Sequence, residues 1–169
     1  MKRLALALAG AAALSFAFGD VVLAHGATVD TFPTGFVLTS GTCSNLAAGT
    51  TLTATGTGKS ITTTRIDGDG AFVVENSAHS TGTATDQDGN TYVWSYSNSF
   101  RGTSDESGVV TGTMTDSFVL IGRGPASLNN GFHGTFVTDF ATFFTVPEVT
   151  FSHGDPIDFV SGAAHCDPL

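Results

Sequence analysis

Apolar and polar positions alternate with a period of two along most of this chain, most clearly from Thr91 to Arg101. There Tyr92, Trp94, Tyr96 and Phe100 alternate with Thr91, Val93, Ser95, Ser97 and Ser99. Side chains of a β-strand point to opposite faces in turn, so this spacing predicts one aromatic face and one wet face. Val110, Met114, Phe118 and Leu120 keep the same parity on the next segment, and Phe132, Phe136 and Phe140 on the one after. Strands are expected near 35–41, 51–66, 71–85, 91–101, 109–122, 132–141 and 143–152. Asp67-Gly68-Asp69-Gly70 and Asp88-Gly89-Asn90 supply the positive-φ residues that tight hairpins need.

Hairpins in succession predict an all-β fold, an antiparallel up-and-down meander of about seven or eight strands. Beyond the N-terminal segment the chain has one lysine, Lys59, and few other charges to guard unpaired strand edges. Closing the sheet removes the edges, so a closed or nearly closed barrel is the expected architecture, with a β-sandwich as the alternative. Gly112 and Gly134 interrupt the apolar faces where a barrel bends or a neighbouring ring needs room. Thr81-Gly82-Thr83-Ala84-Thr85-Asp86 recurs as Thr111-Gly112-Thr113-Met114-Thr115-Asp116, with a looser echo from Gly134 to Asp139. Duplicated hairpins or biased composition would each produce such echoes.

The first residues change the setting. Lys2 and Arg3, an apolar stretch from Leu4 to Phe18, and Val22-Leu23-Ala24 read as a signal peptide over 1–24, which makes the expected product a secreted protein, extracellular or periplasmic. Residues 25–169 are then expected to be one domain, starting at His25. Four cations (Lys59, Arg65, Arg101, Arg123) stand against fourteen carboxylates in that product. So acidic a chain argues against nucleic acid or an anionic membrane as partner. In an oxidising compartment Cys43 and Cys166 are expected to form a disulfide that ties the C-terminal tail to the body, closing a loop of 122 residues. The chain-entropy model assigns such a loop roughly 5 kcal/mol.

Candidate chemistry centres on Asp116, whose parity with Met114 and Phe118 turns it into the apolar interior. A buried carboxylate needs a partner or it goes neutral. Tyr92, Tyr96 or a threonine hydroxyl would serve structurally. Asp116, Arg101 and Tyr96 converging in a solvent-reachable pocket would instead suit an isomerase- or hydrolase-like enzyme, although a regular strand puts Arg101 on the wet face. Tyr92, Trp94, Tyr96, Phe118 and Phe136 are the expected lining for a small apolar or aromatic ligand, or else core filling. No nucleophile elbow, phosphate loop, dinucleotide fingerprint or His-Glu-x-x-His occurs, and no cofactor is expected. The two Asp-rich turns lack the ligand spacing of a calcium loop.

Two resemblances bear on function. His25-Gly26 resembles the mature start of lytic polysaccharide monooxygenases, which implies a copper ion held by the α-amine and imidazole of His25 and a second histidine. Gly82 to Tyr92, Ser95 to Asn98, Gly154-Asp155-Pro156 and Cys166-Asp167-Pro168 resemble small secreted bacterial proteins of uncharacterised activity, which implies no site residue. The allene-oxide-cyclase type of barrel is an architectural analogy only. The reading adopted is a non-enzymatic secreted barrel that binds a small apolar or aromatic molecule or a protein partner, with oligomeric state left open.

Overall fold

A computed structural model describes residues 26–41, 43, 46–104, 108–139 and 148–153. Residues 1–25, Phe140 and Cys166 lie outside the described residues, and with them the expected signal peptide, the expected copper ligand His25 and one partner of the expected disulfide. Seven strands are described: β1 (Gly26–Thr39), β2 (Thr51–Ile66), β3 (Phe72–Asp86), β4 (Thr91–Ser104), β5 (Val109–Gly122), β6 (Leu128–Asp139) and β7 (Glu148–His153). They form one antiparallel sheet in sequence order, and the described residues contain no helix.

The register keeps one parity across the meander. Leu38 pairs with Leu52, Ala84 with Tyr92, and Leu120 with Leu128, so even-numbered positions of β1 to β6 share a face. That face is concave. β1 and β5 lie four strands apart, about 19 Å in a flat sheet, yet the Phe36 and Phe118 rings sit 5.7 Å apart, centroid to centroid. Only a strongly curled sheet brings them together. At this end Tyr92, Phe118, Leu120 and Leu128 pack into one cluster with Leu38 and Leu52, roofed by Cys43, Leu46 and Ala126 from the connecting segments.

Glycine permits the tightest part of the curl. Gly82 pairs with Gly56 on one side and Trp94 on the other, and the indole packs against both glycines. A β-carbon at Gly82 would stand 2.7 Å from the indole Nε1 and would run into the Thr55 carbonyl. Gly112 carries the Phe136 ring in the same manner, as the sequence predicts. Gly134 has a different role: the β6–β7 register shifts between His133 and Gly134, which marks a bulge.

The barrel expectation is met only in part. Among the described residues β1 pairs with β2 alone and β7 with β6 alone, so the sheet is curled but not closed. β7 has 6 residues against 14 in β1, too few to cover the whole of that edge. β1 also starts nine residues before the expected 35, because Gly26–Thr34 has no apolar alternation and is recruited by ladder pairing with β2. Pro33 is tolerated there because an edge strand leaves one side of its backbone outside the ladder.

Candidate functional site

The two Asp-rich connections use one local design. Asp67 accepts the Asp69 and Ala71 N–H groups through Oδ1, and Asp86 accepts those of Asp88 and Asn90. The residue three places on is glycine at positive φ in each, Gly70 at 85° and Gly89 at 82°. These carboxylates are occupied in shaping turns, as the hairpin reading requires. Among the described residues no group of three or more His, Cys, Asp or Glu is placed to hold a metal.

Asp86 is also tied to the core. Its Oδ2 accepts from the Tyr92 hydroxyl at 2.8 Å and from Asn90 Nδ2 at 2.8 Å. Burial works to raise this carboxyl, but the donors from Asn90, Tyr92 and Asp88 outweigh it and hold the group below its ordinary value. Burial, then the bond to Asp86, pushes the Tyr92 phenol up. A carboxyl depressed on folding contributes stability that is complete above its unfolded value, 3.8, and is lost as pH falls through the folded value. Denaturant unfolding should therefore show a stability loss confined to pH below about 4, in line with a carboxylate titration. Asp86→Asn should be less stable at pH 7 and should lose less on acidification. An acid profile identical to the parent protein would show that Asp86 plays no part.

Asp116 is buried on the concave face, at 6% exposure, where its parity predicts. Tyr96 donates its hydroxyl to Asp116 Oδ2 at 2.5 Å, and Asn98 donates from Nδ2 to the same oxygen at 3.1 Å. Tyr96 is thus the partner chosen from those the sequence offers. Asn98, directly paired with Asp116 across β4 and β5, is one that sequence reasoning passes over; its even parity is the signal that could have found it. Arg101 is elsewhere. It lies on the opposite, convex face with its Nε 3.3 Å from Glu75 Oε1, so the structure does not bring Asp116 and Arg101 together.

The predicted lining residues divide into two groups. Tyr92, Trp94 and Phe118 are 0–3% exposed inside the packed cluster. Tyr96 and Phe100 are only partly buried, whereas Phe136, with its ring centroid 5.9 Å from that of Phe100, is buried beyond that cluster along the same face. The same face also holds Phe32, 39% exposed, and Asn76, which donates to Ser60 Oγ and Thr62 Oγ1 at 2.9 and 2.8 Å. Comparison with protein-family models, with curated proteins and with solved structures gave no match. Beyond the filled aromatic end and the Tyr96–Asn98–Asp116 polar layer, the face is partly covered at Phe100 and Met114, with hydroxyls on one flank, and is buried again at Val74, Val110 and Phe136. Such a surface can hold an apolar body and fix its orientation by hydrogen bonds.

Proposed function

We propose that this is an exported, non-enzymatic binding protein whose curled sheet completes a barrel or nearly so, and whose concave face holds a small apolar or aromatic molecule. The observation that carries the reading is the contrast along one face: sealed at Tyr92, Phe118 and Leu120, but only partly covered at Tyr96, Phe100 and Met114. Tyr96, Phe100 and Phe136 are the contacts for the apolar body, and the Asn76–Ser60–Thr62 cluster offers polar anchoring. Closure is supported by the convergence of Phe36 and Phe118 across four strands. Small barrels of this kind have room for a single small ligand.

Native mass spectrometry of protein recovered from its secreting host tests the binding reading, since it reports the mature start, the state of Cys43 and Cys166 and any retained molecule together. A bound small molecule is expected, and Phe100→Ser should reduce its occupancy. Bare protein, together with no uptake of an added hydrophobic dye such as anilinonaphthalene sulfonate, would overturn the reading. Hydrogen exchange tests closure separately. In a closed barrel the outward-pointing amides of β1 exchange as slowly as those of β3; rapid exchange along β1 alone marks a true edge.

A further inference from the structure

We infer that the convex face carries a second binding site, a groove across β2 to β5 that takes an extended acidic oligosaccharide through Arg101 and a floor of hydroxyl groups. This goes beyond the proposed function, since eight of the ten residues that line the groove occupy odd, convex-face positions, Asn76 and Phe100 being the other two.

The groove has a volume of about 430 Å³, with Ser77, Ser99, Thr113 and Thr115 among its lining and Ile61 and Arg101 at its sides. The register explains the arrangement. Ile61 pairs with Ser77, Ser77 with Ser99, and Ser99 with Thr115, so beside Ile61 a row of three short hydroxyl side chains crosses β3 to β5, the Thr115 hydroxyl lying 2.9 Å from His133 Nδ1. The next row is Thr63, Glu75, Arg101 and Thr113. Short side chains leave the depression, and the longer ones beside them form its walls. Neighbouring strands are about 4.8 Å apart. A hydroxyl therefore recurs at a spacing close to the advance of one pyranose ring along an extended glycan, so successive sugars can each meet a donor and acceptor.

Charge selects the acidic kind of glycan. The chain carries a net charge of −9, yet Lys59, Arg65 and Arg101 all occupy odd, convex-face positions. The Arg65 and Arg101 guanidinium groups share a single Glu75 oxygen, at 3.0 and 3.3 Å. Among the described residues, two cations on one carboxylate leave a positive charge unmatched at the groove. Arg101 is 62% exposed and engages Glu75 only through Nε, so its two terminal nitrogens make no bond among the described residues. That planar pair suits bidentate binding of a carboxylate. Asp67, Asp69, Asp86 and Asp88, by contrast, sit in the turns at the sheet ends, and Asp116 on the other face, so Glu75 is the one carboxylate among the described residues that line the groove. A chain of uronic acids combines the ring spacing with the carboxylate.

Titration of the full chain with tetragalacturonate, followed by calorimetry and by backbone amide shifts, tests the assignment. Binding is expected, with shifts centred on Ser99, Arg101 and Thr113, and Arg101→Gln should weaken it about tenfold, the scale of one charge-assisted hydrogen bond. Glu75→Gln should strengthen it, because the competing carboxylate is removed; a merely structural role for the ion pair would weaken binding in both variants. Maltotetraose, neutral and of the same length, should bind at least about tenfold more weakly. Inorganic phosphate should not displace the tetramer at equal concentration. No binding of tetragalacturonate, equal binding by Arg101→Gln, equal binding of the neutral sugar, or displacement by phosphate would overturn the proposal. Unfolding followed by Trp94 fluorescence confirms that each variant is folded.

Discussion

Trp94→Ala is expected to cost about 3–5 kcal/mol, the range for removing a buried large aromatic. For a chain of this length that lowers the melting temperature by roughly 10–15 °C. The indole is 3% exposed and does three jobs. It fills the space above Gly56 and Gly82, meets Phe36 edge-on at 5.1 Å, and donates Nε1–H to the Thr55 and Thr83 carbonyls at 3.3 and 3.2 Å. Its removal leaves a void that the glycines cannot fill. Trp94→Phe should recover most of the loss, falling short by about 1 kcal/mol for the missing N–H donor. Far-ultraviolet circular dichroism in denaturant measures both, and a cost below about 1 kcal/mol for the alanine variant would refute this account of the curl. Gly82→Val should also destabilise, because its β-carbon meets the Thr55 carbonyl and the Gly56 α-carbon, which are backbone and cannot step aside.

Asp116→Ala is expected to cost about 1–3 kcal/mol, the penalty for withdrawing an acceptor from buried donors. Tyr96 and Asn98 both donate to its Oδ2, so neither is satisfied in the same way once the carboxylate is gone. Asp116→Asn keeps the shape and one acceptor and should be milder. Tyr96→Phe in the Asp116→Ala background separates the pair from its surroundings. Residues in one hydrogen-bonded network couple by about 0.5–3 kcal/mol, so the two substitutions together should cost less than their sum. Strict additivity would mean that the 2.5 Å contact contributes nothing of its own.

Much of the sheet was legible because burial imposes parity. The alternation at Tyr92, Trp94 and Tyr96 identified the face, and Asp116 was placed on it by counting in twos. The turns were equally legible: Gly70 and Gly89 adopt the positive φ that their positions imply. The first half of β1 was not. Gly26–Pro33 is exposed on both faces and carries no apolar signal, so its strand state rests on backbone pairing that sequence does not display. The repeated Thr-Gly-Thr-x-Thr-Asp segment was legible as an echo but not in meaning. Gly82 and Gly112 each lie beneath a ring from another strand, whereas Asp86 shapes a turn and Asp116 sits mid-strand beneath Tyr96.

The candidate site shows the same division. Tyr96 and Asp116 could be named from parity, yet the choice of Tyr96 over Tyr92 as partner depended on the β4–β5 register, which sets Tyr96 against Phe118 and Asn98 against Asp116. Tyr92 is four residues nearer the turn and goes to Asp86 instead. The convex groove had no sequence signal, because Ser77, Ser99 and Thr115 are isolated polar residues until three strands bring them into one row.

By itself the sequence determined the strand-forming character of this chain, the sidedness of its strands and the position of its tight turns. Those properties follow from local sterics and from a two-residue repeat that burial enforces along a single strand. The tertiary structure decided the curl, the sealed and partly covered stretches of the concave face, and the separation of Arg101 from Asp116. Each of these depends on how six strands register and bend together, and on rings from one strand occupying space left by glycines on others, a relation no single segment encodes.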